Sequence, residues 1–227
     1  MLKKYTIYGE RCSGTTYLEN IIDMNFEANL TWEYGWKHFF GFLDDRLKNS
    51  DDTLFICIVK NLPDWINSLY RNPHHLPKSL TCDINNFLNN EFYSVPDWRQ
   101  DRWYKDNHNI LGEDRNIYTK ERYKNIFELR HTKIKWMIED LPNKVKNYIF
   151  IRYEDLITDF DKTLLKIRDK GLTVKKNINF PLNVSESFLC GRKEKTKFIK
   201  KKNNISTEFI MSNSNLIPLY EQKIYNI

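Results

Sequence analysis

A β-type run from Lys4 to Tyr8 reaches Gly9. Five residues later comes Gly14, and Thr15 and Thr16 then open a helical pattern with Leu18, Ile21, Ile22 and Phe26 on one side. This strand, Gly-bounded loop and helix start constrain the fold more than any other stretch of the chain. Successive backbone N–H groups in such a loop, with the positive end of the helix behind them, converge on one anion. A tight turn capped by Ser13 or Thr15 is the plainer reading of the same residues.

The rest of the chain repeats the strand-then-helix order. Thr53–Val59 is a continuous apolar run of strand length, as expected for a strand buried on both faces of a parallel sheet. Pro63 then opens a helix through Trp65, Ile66, Leu69 and Tyr70. Tyr148–Ile151 is another buried-type strand, followed by Arg152-Tyr-Glu-Asp and a helix to about Lys170. Asn29 to Tyr34 reads as a second strand leading into a loop bounded by Gly35 and Gly41, and Asp44 to Asp52 as a polar surface segment. Thr119 to Asp140 and Leu216 to Tyr225 read as helices. The expectation is an α/β fold with a central parallel sheet of about four or five strands flanked by helices, P-loop NTPase-like, and with loops 9–16, 35–41, 60–68 and 152–155 at the carboxyl ends of the strands.

At 227 residues the chain suits one domain, residues 1–227. An aromatic-rich insertion or lid is expected at about 78–118, where Phe92, Tyr93, Trp98, Trp103 and Tyr104 alternate with Arg99, Asp101, Arg102 and Lys105. A solvated surface excursion is the alternative. The net charge of +6 favours an anionic partner without choosing one. Cys12, Cys57, Cys82 and Cys190 show no metal spacing and read as free thiols in a reducing compartment. No signal peptide or membrane-span-length apolar run is visible, so a cytoplasmic protein without a membrane partner is expected. The scarcity of alanine beside abundant Asn, Lys and Ile suggests an AT-rich genome.

Gly9-x4-Gly14 has the spacing of a Walker loop, but Thr15 stands where an ATP-binding loop has lysine. Positive charge must then come from elsewhere, and Arg11 is the nearest source. No Asp ends the Thr53–Val59 strand, where P-loop NTPases hold Mg²⁺. No metal is expected: His74 and His75 are adjacent, with no third ligand at suitable spacing, and read as a loop pair. Glu154 and Asp155 open a helix, which suits capping and dipole complementarity.

Three stretches in register, Gly9-Glu-Arg-Cys-Ser-Gly-Thr-Thr-Tyr-Leu18, Val59-Lys-Asn-Leu-Pro-Asp-Trp-Ile-Asn-Ser-Leu-Tyr70 and Ile151-Arg-Tyr-Glu-Asp-Leu156, resemble the sulfotransferase family that uses 3′-phosphoadenosine 5′-phosphosulfate (PAPS). The resemblance implies that Ser13, Gly14, Thr15 and Thr16 bind the 5′-phosphosulfate, with Arg11 and Cys12 in the same loop. It implies that Tyr17 and Tyr153 approach the adenine and that Lys60 and Ser68 hold the 3′-phosphate. Arg192 and Lys193 resemble the family's late Arg-Lys loop, although Glu194 replaces its glycine; a solvated Lys-rich loop is the alternative. Cys12 stands where the family usually has Lys or Arg. Lys60 replaces a usual Arg, keeping the charge but losing the bidentate fork.

Sulfuryl transfer to a hydroxyl needs an in-line acceptor, a base and neutralisation of the leaving phosphate. Imidazole, with a pKa of ~6.5, suits the base. His38 lies in the loop where the family places a Lys-and-His pair, so the expected roles are His38 as base, with Lys37 and Arg11 stabilising the transferred group. A structural histidine is the alternative, and Glu10 and Glu33 are reserve bases. The expected products are adenosine 3′,5′-bisphosphate and a sulfated small molecule or glycan. A small-molecule kinase and a non-catalytic module binding nucleotide or, less in keeping with these motifs, nucleic acid are the competing readings. The sequence leaves the oligomeric state open.

Overall fold

A computed structural model describes residues 2–95, 114–188, 195–199, 201–214 and 219–225. In chain order the strands are β1 (Lys4–Tyr8), β2 (Asn29–Leu30), β3 (Thr53–Val59), β4 (Tyr148–Arg152), β5 (Glu186–Phe188) and β6 (Lys195–Lys197). The helices are α1 (Thr15–Asn25), α2 (Asp44–Leu47), α3 (Leu62–Arg71), α4 (Lys78–Thr81), α5 (Ile84–Asn89), α6 (Ile126–Lys135), α7 (Tyr153–Thr158), α8 (Phe160–Arg168), α9 (Thr207–Asn213) and α10 (Leu219–Tyr225). They fall into two compact units, Met1–Lys60 with Met137–Lys200, and Asn61–Trp136 with Lys201–Ile227.

The first unit is an α/β layer structure around a four-stranded sheet in the order β2-β1-β3-β4, parallel throughout. All seven residues of β3 are buried, which is why its sequence runs apolar without alternation. Ile7, Ile56, Ile58 and Ile151 on one face pack with Leu18, Ile21 and Ile22 of α1 and Leu164 and Ile167 of α8. On the other face Tyr8 stacks on Phe40 at 4.9 Å, and Tyr34 meets Phe55 at 5.2 Å. The antiparallel pair β5–β6 forms a separate two-stranded sheet.

The second strand is shorter than expected. β2 ends at Leu30, and Gly35, with φ 115°, turns the chain so that its N–H bonds the Trp32 carbonyl at 3.1 Å. Burial of the Tyr34 ring against Phe55 makes that turn favourable. The segment Asp44 to Asp52 contains α2 and buries Leu47 and Ser50, so it is not purely surface. The single helix expected after β4 is two, α7 and α8, broken at Asp159 (φ −123°, ψ 49°).

In the second unit α3 starts on an Asn61 cap, whose side chain accepts the Asp64 N–H at 2.9 Å. Asn67 is buried on this helix and accepts the N–H groups of Asn204 and Ile205, fixing the segment before α9. The helix expected from Thr119 begins at Ile126. Asn116 accepts the Tyr118 N–H at 3.0 Å, a local turn that competes with helix, and Asn125 supplies the cap. Past Lys135 the coil widens into a π-helical turn, Trp136–Asp140, and a 3₁₀ turn, Leu141–Asn143, which from Met137 on belong to the first unit. Within the expected insertion, Leu80, Phe87, Leu88 and Phe92 are core residues of this unit. Tyr93 lies under the Arg122 guanidinium at 4.3 Å. Trp98, Arg99, Asp101, Arg102, Trp103, Tyr104 and Lys105 lie outside the described residues. Among the described residues no helix is long and apolar enough to cross a membrane.

Candidate functional site

In sheet order the chain leaves β1 toward β2 on one side and β3 toward β4 on the other. The carboxyl ends of β1 and β3 therefore flank the point where the winding reverses, the position at which open parallel sheets hold ligands. Gly9 follows β1 directly and Lys60 follows β3 directly.

The loop after β1 has two left-handed residues on either side of Ser13. Cys12 (φ 66°) and Gly14 (φ 93°) both take the left-handed conformation, with the buried Ser13 between them donating its N–H to the Glu10 carbonyl at 3.1 Å. Such alternation turns backbone amides toward one centre. The first intrahelical bond of α1 runs from the Leu18 N–H to the Gly14 carbonyl, so the amides of Thr15, Thr16 and Tyr17 precede the helical ladder. Gly14 is the N-cap, no side chain caps these amides, and the first turn carries no acidic residue. The alternative of a turn capped by Ser13 or Thr15 does not hold.

Both glycines are required by close approach. A Cβ on Gly9 would lie 2.5 Å from the Ile58 carbonyl oxygen, and one on Gly14 would lie 2.3 Å from the Tyr153 ring. Gly14→Ala is expected to cost about 1–2 kcal/mol for the left-handed backbone and at least about 1 kcal/mol more for displacing the ring. Urea denaturation checks this; adding Tyr153→Ala should recover only the second part. A Gly14→Ala protein as stable as the parent would contradict the described packing.

The loop carrying Lys37 and His38 is sewn to the same turn. The Gly9 N–H donates to the Lys37 carbonyl at 3.0 Å, and His38 Nδ1 lies 2.7 Å from the Gly9 carbonyl. A carbonyl only accepts, so Nδ1 carries the proton, and in the neutral ring the lone pair sits on Nε2. Trp36 sits edge-on to the imidazole at 4.9 Å. The Lys37 ammonium reaches back to α1, 3.2 Å from Thr16 Oγ1 and 2.8 Å from Glu19 Oε2. Burial pushes the Glu19 carboxyl up, against the opposing pull of Lys37.

Arg11 turns inward. It is 1 % exposed, its Nε lies 3.7 Å from Glu10 Oε2, and its guanidinium lies 5.7 Å from the Phe39 ring centre. Glu10, a reserve base, is thus a buried ion-pair partner, while Glu33, the other, pairs with Lys4.

Tyr153, directly after β4, lies on Gly14 and carries the Lys60 ammonium over its ring at 4.8 Å. Tyr17 meets Tyr153 edge-on at 6.5 Å and Phe198 at 4.9 Å, and its hydroxyl donates to Asn183 Oδ1 at 2.7 Å. Four carboxyl-end segments of one sheet, residues 9–17, 37–38, 60 and 153, are thus joined by direct contacts within the first unit. Phe198 and Asn183 carried no sequence signal, since one stands in a Lys-rich run and the other in an irregular segment. Glu154 and Asp155 stand in the first turn of α7, but Asp155 accepts from Arg152 at 2.9 Å and no side chain caps the helix. Ser68 is half-buried on α3 in the second unit. Arg192 and Lys193 lie outside the described residues. His75 faces the Val95 carbonyl through Nδ1 at 3.2 Å. Among the described residues no three His, Cys, Asp or Glu side chains are grouped as metal ligands would be. No family model matches the sequence, and no curated protein or solved structure matches it.

Proposed function

We propose that this chain is a sulfotransferase that moves a sulfuryl group from PAPS to an acceptor hydroxyl. The observation that carries the reading is the pair of hydrogen bonds between the Lys37–His38 loop and Gly9, which hold an imidazole and an ammonium beside the turn and the uncapped amides at the start of α1. A 5′-phosphosulfate fits amides that have no helical acceptor. The aromatic group of Tyr153, Tyr17 and Phe198 suits the flat adenine, and Lys60 suits the 3′-phosphate.

In the transfer, the acceptor oxygen forms a bond to sulfur while the bond from sulfur to the bridging 5′-phosphate oxygen breaks. The acceptor proton passes to His38 Nε2. The electron pair of the broken bond leaves with adenosine 3′,5′-bisphosphate, and the acceptor departs as a sulfate ester. Amides at the start of α1 and the Lys37 ammonium offset the charge that builds on the leaving oxygen. Mixing labelled PAPS with a panel of phenol, alcohol and sugar acceptors tests the reading, and absence of transfer to every one of them would reject it.

Lys60→Ala should weaken adenosine 3′,5′-bisphosphate binding about tenfold, the value of one charge-assisted hydrogen bond of ~1.5 kcal/mol. Adenosine 5′-phosphate should bind the two proteins alike. An equal loss for both nucleotides, by calorimetry, would remove Lys60 from the 3′-phosphate.

A further inference from the structure

A lysine ammonium has three N–H donors on a flexible stem, so it is aimed only when its other donors are taken. Two groups of α1 take them for Lys37. Thr16 Oγ1 lies 3.2 Å away and Glu19 Oε2 2.8 Å away. Thr16 and Glu19 stand three residues apart and so share one face of the helix. The Trp32 ring centre lies 5.9 Å from the same ammonium, beyond hydrogen-bond reach, so α1 fixes two of its three donor directions.

Glu19 is poorly explained as a stabilising residue. Its side chain is 15 % exposed, and Oε1 is buried with no hydrogen-bond partner. Burial raises its carboxyl pKa even beside the Lys37 ammonium, so the charge is held at a net cost to the folded state near neutral pH.

We propose that Glu19 is a positioning residue for the transfer: with Thr16 it aims the Lys37 ammonium at the group held by the first turn of α1. The inference rests on the sulfotransferase reading and adds a residue to it. Glu19 acts through Lys37 alone, touching neither donor nor acceptor.

The test is a double-mutant cycle with a separate chemical probe. Glu19→Gln keeps the side-chain shape and removes the charge. It should lower kcat roughly ten- to hundredfold by loosening the aim and leave the donor KM within about threefold. In a Lys37→Met background the same change should alter kcat by less than about twofold, because its only route of action is gone. A full loss in that background, or none in the parent, overturns the proposal. The separate probe is labelling of Lys37 by an amine-reactive reagent, followed by peptide mass spectrometry. Labelling should quicken several-fold in Glu19→Gln, and an unchanged rate overturns the clamp. Failure of the parent protein to transfer sulfuryl at all would defeat the functional reading, whereas additive losses among active variants would defeat only this inference. If Glu19→Gln fails to fold, Glu19→Ala serves in the same cycle.

Discussion

His38→Asn should lower kcat by about 10²- to 10⁴-fold, the usual contribution of a positioned general base, with binding of adenosine 3′,5′-bisphosphate nearly unchanged. Asn is chosen because its side-chain N–H falls close to where Nδ1 sits, so the bond to the Gly9 carbonyl, 2.7 Å in the parent, keeps a donor. What disappears is Nε2, which carries the lone pair when Nδ1 donates to the Gly9 carbonyl. His38→Ala removes both functions and should add a stability loss, because it leaves the buried Gly9 carbonyl without its ring donor. A structural histidine would give the opposite pattern: Asn tolerated in turnover, Ala harmful through folding alone. Single-turnover rates with saturating donor separate these outcomes, and undiminished turnover in His38→Asn would move the base elsewhere.

The largest stability effect is expected far from that loop. Lys133 of α6 and Asp114 are both fully buried in the second unit, 3.2 Å apart. Lys133→Met should cost about 3–5 kcal/mol, because it leaves a carboxylate in the core without that ammonium. For a chain of this size that is a fall of ~10 °C in melting temperature. Replacing both, Asp114→Leu with Lys133→Met, should return part of the loss, since neither charge is then left buried without the other. Urea denaturation measures each variant. A Lys133→Met protein within about 1 kcal/mol of the parent would mean that Asp114 does not depend on this lysine. The same unit buries a second pair, Arg130 with Glu221, and lays the Arg130 guanidinium 4.9 Å from the Trp65 ring centre, tying α10 to α6.

Neither pair was legible in the sequence. Periodicity marks the apolar face of a helix, and a lysine or arginine inside it counts against burial until a partner distant in sequence is brought in; Glu221 lies 91 residues from Arg130. By contrast, β1 and β3 coincide with their expected bounds and β4 runs one residue longer; β3, buried at all seven positions, writes itself as a continuous apolar run. β2 did not, since only two residues pair with β1 and the turn that follows depends on the Tyr34 ring packing against Phe55 at a tilt. α9 had a signal in Ser206, whose side chain accepts the Phe209 N–H, but its seven residues follow a Lys-rich run with no apolar periodicity.

The candidate site divides in the same way. Residues 9–16, 37, 38, 60 and 153 lie in segments that follow strands of the parallel sheet, a placement legible from the apolar runs, whereas the roles expected of them came from the resemblance. Glu19, Asn183 and Phe198 enter through contacts that only the folded chain makes. Arg11 was expected near the transferred group because the loop lacks a lysine, but its side chain lies in the interior beside Glu10.

Thermal unfolding with three ligands tests the proposed nucleotide site most directly: adenosine 3′,5′-bisphosphate, adenosine 5′-phosphate, and ATP with Mg²⁺, each at equal concentration. A ligand at 100 times its dissociation constant adds about 2.7 kcal/mol to the folded state. The bisphosphate should raise the melting temperature most, and the 5′-phosphate clearly less. A larger rise with ATP and Mg²⁺, or no difference between the two adenosine phosphates, would contradict a site built for a 3′-phosphorylated sulfuryl donor.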